Sequence, residues 1–302
     1  MWFVFAVAAA VCFGLRGILY QWTSQRPIDR NLLLTGVYVS GTLITVGTNF
    51  FAQQPWSMGA LMGILLGLFS FIANASMYKG YAVGKASIVA LFTGLPPLVV
   101  MICAYILWQE GLTPWQFVAF FIVLGGLLMI KYSQDLRVGQ LKGVQWGVLT
   151  MIFFGFTDVS VKQATLLGAS ALPALTLMFA TGSVLFGLSW AWGNFRSQAN
   201  KAHNEVAASS ETAPGHTAAT VWTLKKTVGW GMLVGITNAG GMLLIFPAYR
   251  EGITGIVSAI VASNVALVLL YARFYLKENW TKREAGGLLM AFLGIILLRI
   301  AS

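Results

Sequence analysis

Apolar runs long enough to cross a bilayer follow one another along the whole chain, with short polar interruptions between them. A spanning helix needs about 20 mostly apolar residues. Ten segments have that length and character: 2–22, 31–51, 58–80, 86–108, 113–131, 143–165, 171–193, 227–248, 253–276 and 281–300. The interruptions carry turn or charge signals, as in Arg26-Pro27-Ile28-Asp29-Arg30, Gln53-Gln54-Pro55 and Glu110-Gly111. One is long: residues 194–226 are rich in Ser, Ala, Asn and Thr, hold both histidines, His203 and His216, and read as a mobile aqueous loop. The pattern predicts an all-α, polytopic membrane protein with ten transmembrane helices.

The second half of the pattern echoes the first. Tyr81, Gly84, Ile88, Val89, Glu110, Thr113 and Gly126 recur as Tyr249, Gly252, Ile256, Val257, Glu278, Thr281 and Gly294, always 168 positions later. Gly63 and Gly67 become Gly231 and Gly235 at the same offset, while Phe13-Gly14 matches Phe154-Gly155 at 141. The difference of 27 is about the excess length of the loop before the eighth segment, so one insertion reconciles both offsets. Two five-helix repeats are expected, residues 1–138 and 139–302, the second containing the 194–226 loop. Five is odd, so the second copy enters the membrane from the opposite side and the repeats are inverted, an architecture suited to alternating access.

Composition agrees with this picture. Of 302 residues, 58% are hydrophobic and only 9% charged, where a soluble domain carries about a quarter charged residues. The net charge of +10 does not point to nucleic acid, because the Lys and Arg residues lie in connectors rather than on one basic stripe. Connectors on one side hold 14 of them, against 3 on the other; the positive-inside rule puts the rich side in the cytoplasm and both termini outside. Cys12 and Cys103 sit in apolar runs without disulfide or metal spacing. The first segment has no basic n-region, which suits a retained helix rather than a cleaved signal.

Two copies of a small-residue entry lead into a Glu and a Thr: Gly84 through Trp108-Gln109-Glu110-Gly111-Leu112-Thr113, and Gly252 through Leu276-Lys277-Glu278-Asn279-Trp280-Thr281. A Gly-rich final helix follows each. In these features the chain resembles the drug/metabolite transporter superfamily, in particular its ten-helix members of the EamA type. The resemblance covers nearly the whole chain. It implies a multi-pass protein of a bacterial inner (plasma) membrane that moves amino acids, sugars or other metabolites by alternating access. Family members often carry a proline in both helix 4 and helix 9; here Pro96-Pro97 stands in helix 4 and Asn264-Val265 in helix 9. Many also keep the amino terminus in the cytoplasm, the reverse of the charge count.

Asp158 is the only acidic residue well inside a segment. A charge in hydrocarbon costs about 2.5–3.5 kcal/mol on insertion scales, so it faces a partner or a water-filled cavity. Arg16 aligns with Thr157 across the repeat, which places Arg16 and Asp158 at neighbouring pseudo-symmetric positions with opposite charge. They are expected to flank a central cavity and bind polar or charged groups of a substrate. The alternative pairs Asp158 with Lys162 one turn away and lets Arg16 snorkel to an interface. Asp158 is also the coupling candidate, and a close Arg16 makes it a poor proton carrier, so facilitator, exchanger and proton-driven pump all stay open. Tyr20 shares the face of Arg16; Ser70 and Asn74 lie one turn apart; Asn238 aligns with Ser70; and Asn264 stands in for Pro96, where a helix break exposes backbone to a ligand. Trp146, Thr150, Phe154 and Asp158 form a stripe at every fourth residue. Glu110 and Glu278 read as organisers of helix ends, and the paired glycines as close packing.

Intramembrane catalysis is disfavoured, because no cluster of His, Asp, Glu or Cys lies in the segments, and no Walker-type loop supports ATP-driven pumping. The expected partners are a small-molecule substrate and the lipid bilayer, with no nucleic acid, no cofactor and no metal, in a monomer or homodimer. An amino acid or related compound leads because an Arg and an Asp beside one cavity suit a zwitterion. A sugar, a lipid-linked metabolite, and a non-transporting membrane partner protein are the alternatives.

Overall fold

The computed structural model describes residues 1–24, 26–83, 86–131, 143–207, 222–275, 277 and 281–301. Its elements are helical: α1 (Trp2–Ser24), α2 (Arg30–Ala52), a 3-10 turn (Met58–Leu61) leading into α3 (Met62–Val83), α4 (Ala86–Phe92), α5 (Pro96–Trp108), α6 (Pro114–Lys131), α7 (Val144–Leu166), α8 (Ala171–Ala207), α9 (Leu224–Glu251), α10 (Thr254–Ala262), α11 (Asn264–Phe274) and α12 (Lys282–Ile300). Local chemistry sets several ends. The Asp29 side chain caps α2 by accepting from the Leu32 N–H at 3.0 Å. Thr281 and Glu284 form a reciprocal capping box at the start of α12.

Among the described residues, nine spans are long and apolar enough to cross a membrane, with α4–α5 and α10–α11 each serving as one broken span. The tenth, α12, concentrates Lys282, Arg283, Glu284 and Arg299 at its ends and leaves an apolar middle. The outer surface is hydrocarbon-like: Val4, Val7, Val11 and Leu15 point outward from α1, and Leu289, Phe292, Leu293 and Ile296 from α12. An exposed apolar belt of this kind is stable only in lipid.

One expectation is corrected. The stretch 194–226 is not aqueous loop throughout, since α8 continues without a break to Ala207 and α9 begins at Leu224. Between Gly193 and Ala207 the sequence offers Ala, Gln, Lys and Glu with no proline, and residues of good helix propensity extend a helix that already exists. His203 therefore falls within α8, while His216 and Glu278 lie outside the described residues.

The packing follows the sequence repeat residue by residue. A methyl group on Gly63 would strike the Ala174 carbonyl; on Gly231 it would strike the Leu33 carbonyl. Gly67 meets Met178 and Thr181, and Gly235 meets Val37 and Ser40. Gly126 lies against Gly287 and Ala291, and Gly294 against Ala119 and Val123. Gly14 faces Asn264 and Leu267, and Gly155 faces Pro96 and Val99. Each member of a pair becomes the other when the offsets of 168 and 141 are applied, so the two copies exchange places in the fold. With five crossings per copy, this fits an inverted repeat.

The helices sort into two mixed bundles. In one, α3 packs on α7 and α8, and α7 packs on α4 and α5; in the other, α9 packs on α1 and α2, and α1 packs on α10 and α11. Helices α2 and α8 join the bundles, and α6 and α12 pair with each other, α6 also touching α4 and α10. Each bundle thus draws on both copies.

Candidate functional site

Both broken spans interrupt at equivalent places. Helix α4 ends at Phe92, and α5 restarts at Pro96-Pro97, whose missing N–H groups suit a helix start. Helix α10 ends at Ala262 and α11 restarts at Asn264, although no proline is present. There Ser263 donates its hydroxyl to the Ile260 carbonyl at 2.6 Å, and the Asn264 side chain donates to the Val261 carbonyl at 2.8 Å. Short polar side chains supply the local bonds that let the backbone turn out of the helix.

A cavity of about 300 Å³ lies between the breaks. Arg16, Tyr20, Ser70, Asn74, Asp158, Asn238 and Asn264 all line it. Arg16 donates to the Asn238 side-chain oxygen at 2.6 Å, and its guanidinium sits 4.6 Å from the centre of the Phe13 ring. Asp158 accepts from the Ser258 hydroxyl at 2.8 Å. The buried Tyr249 hydroxyl lies beside the same carboxylate without closing a hydrogen bond to it. Ser70 is bonded to the Tyr38 hydroxyl, and the Asn74 amide donates to the Ser70 carbonyl at 2.7 Å.

Arg16 and Asp158 share the cavity but form no ion pair. Asp158 does not pair with Lys162, and Arg16 does not snorkel, because each has an inward-facing partner of its own. Of the α7 stripe, Phe154 and Asp158 reach the cavity; Thr150 is buried and bonds back to the Trp146 carbonyl. Sequence reasoning missed Lys131, Thr93 and Ser258, which also line the space. Lys131 ends the 113–131 segment, where a lysine reads as one of the connector charges, and a hydroxyl carries no strong signal in a membrane helix.

Access to the cavity is unequal. On the side of the 24–30 connector, a larger space of about 890 Å³ is lined by Gln21, Arg26, Asp29, Arg30, Tyr78 and Tyr81 and shares Tyr20 and Met77 with the cavity. On the side of the two chain ends, a groove of about 530 Å³ beside Gln54, Ser170 and Arg250 shares no lining residue with it. The helices agree: α5 packs against α10 on the terminus side, whereas the equivalent pair, α4 and α11, has no comparable packing among the described residues.

A polar network closes the terminus side. The Lys162 ammonium is buried, lies 2.8 Å from a Glu110 carboxylate oxygen, and donates to the Tyr249 and Gly252 carbonyls at 3.1 and 3.3 Å. All three of its donors are used. Glu110 in turn accepts from the Thr254 N–H at 2.8 Å. The cation thus sits at the C-terminal end of α9 and the anion at the N-terminal end of α10, each where the helix dipole favours it. Burial pushes the Glu110 carboxyl up, but the bonds from Lys162 and Thr254 outweigh this and hold it below the usual carboxylate range. Gln54 accepts from the Leu172 N–H, and Arg250 donates to the Ala169 carbonyl.

Comparison with known proteins places these features in a family. No curated protein matches the chain. A protein known from a crystal structure is similar over 99% of this chain and 96% of its own, with 13% sequence identity and a TM-score of 0.71, a likeness of fold. The sequence pattern of the EamA-like transporter family matches residues 1–132 and 141–300. A polytopic helical chain with one central polar cavity, matched across both copies by that pattern, belongs to the EamA-like transporter family.

Proposed function

We propose that the chain is a secondary transporter of a small polar metabolite, an amino acid or related compound, working by alternating access. The observation that carries this reading is the cavity itself, where Arg16 and Asp158 face the same space on separate neutral partners. A bound zwitterion supplies the opposite charges that the two side chains lack, its carboxylate toward Arg16 and its ammonium toward Asp158. The site lies beside two helix breaks, as transport sites do when repeats rock about a fixed point. The copies 1–138 and 139–302 are the units related by the exchange. With the basic side in the cytoplasm and both termini outside, the cavity opens inward and the Glu110–Lys162 network seals the outer side.

Aromatic rings of Phe13, Tyr20 and Phe154 beside the hydroxyls of Ser70 and Thr93 favour a sugar as the second reading. A thermal-shift screen of the purified protein against amino acids, sugars and amines separates them. Stabilisation by amino acids that disappears in Arg16→Ala is the expected outcome. Stabilisation by sugars alone displaces the amino-acid reading.

A further inference from the structure

Among the described residues, three charged side chains line the cavity: Arg16, Asp158 and Lys131. Lys131 is the last residue of α6, and its ammonium donates to the Thr93 hydroxyl at 2.8 Å, in the break between α4 and α5. Its methylene stem lies along Gly94, where the absence of a side chain leaves room for it. Among the described residues, neither base has a carboxylate within ion-pair distance; the partner of Arg16 is an amide oxygen and that of Lys131 a hydroxyl. Asp158 is held by a hydroxyl as well. The cavity therefore sets two cations against one carboxylate, all on neutral partners, inside a span where unbalanced charge is costly.

The approach carries the same sign. Arg26 and Arg30 line the larger space outside, and the one carboxylate there among the described residues, Asp29, is engaged at the start of α2. A path with a net positive lining concentrates anions and repels cations. The positive ends of α5 and α11 also begin at the cavity.

Resting on the transport reading above, we infer that the substrate is an amino dicarboxylate, with its two carboxylates on Arg16 and Lys131 and its ammonium on Asp158. One amine and two acids complement one acid and two bases. About 300 Å³ is at the small end of ligand cavities, which suits a short chain between the groups. Lys131 is then the residue that separates acidic substrates from their neutral amides, because an amide offers it no charge.

The test is counterflow and calorimetric binding with the full chain in proteoliposomes, using L-aspartate and L-glutamate against L-asparagine, L-glutamine, succinate and tetramethylammonium. Acids bind at least about tenfold more tightly than their amides, and tetramethylammonium does not bind. In Lys131→Gln the aspartate-to-asparagine preference collapses towards one; Lys131→Arg preserves it. In Asp158→Asn the preference moves from aspartate to succinate. Wild-type protein that binds amides as tightly as acids overturns the assignment of Lys131 while leaving amino-acid transport standing. Failure of every amino acid to bind, acidic or neutral, removes the amino-acid transport reading beneath it.

Discussion

Glu110 and Lys162 illustrate how a buried charge pair acquires a task from the helix ends beside it. Neither lines the cavity, yet together they occupy the corner where α9 ends and α10 begins. Because the folded state holds the Glu110 carboxyl below its ordinary value, its contribution is present above the unfolded pKa and is lost as the pH falls through the folded one. Melting curves in detergent are therefore expected to lose stability below about pH 4, and Glu110→Gln to flatten that acid limb. An unchanged acid limb in the variant removes Glu110 as its cause. At this scale much of the candidate cavity lining was legible. Polar residues in hydrocarbon are expensive enough to have a reason, and the seven singled out all face one cavity. Lys131 was not legible because a lysine at a helix end looks the same whether it turns outward to headgroups or inward to a cavity.

Helices were legible in number, less so in their interruptions. Pro96-Pro97 announced the break before α5, but the break before α11 rests on Ser263 and Asn264 bonding to their own backbone, a competition that ordinary helix composition does not reveal. The continuation of α8 was hidden for a related reason, since Ala, Asn and Gln serve equally in a loop or in a helix already under way. The glycine spacing was read as close approach, and the contacts fit that reading: Gly231 sits on the Leu33 carbonyl and Gly36. Gly231→Val is expected to cost about 1–3 kcal/mol through overpacking, seen as a lower melting temperature. The same substitution at Gly229, which has open space around it, is the control. Equal losses at both positions rule out the contact as the reason.

Across the whole molecule, the offsets of 168 and 141 told which residues are equivalent but not which ones touch. They also left open which side is shut. That choice has a visible chemical correlate: the counterpart of Lys162 is Gln21, and the counterpart of Glu110 is Glu278, so only one side has both charges at the matching positions. Lys162→Gln is expected to weaken closure of the terminus side, and Gln21→Lys to strengthen closure of the other. With Cys12 and Cys103 replaced and Ser70→Cys introduced, an impermeant maleimide reports the shift as labelling gained from the first side and lost from the second. Labelling unaffected by the pair of changes sets this asymmetry aside as a determinant of the resting state.

Because each bundle borrows helices from both copies, neither copy is expected to stand alone. Residues 1–138 by themselves would leave α3 without α7 and α8, and α1 and α2 without α9, exposing glycine-lined grooves with nothing to fill them. A single five-helix unit is therefore expected to fold only in the company of the other. Expressed separately, 1–138 and 139–302 should each be degraded, and expressed together they should co-purify as a complex; stable accumulation of either fragment on its own contradicts that dependence.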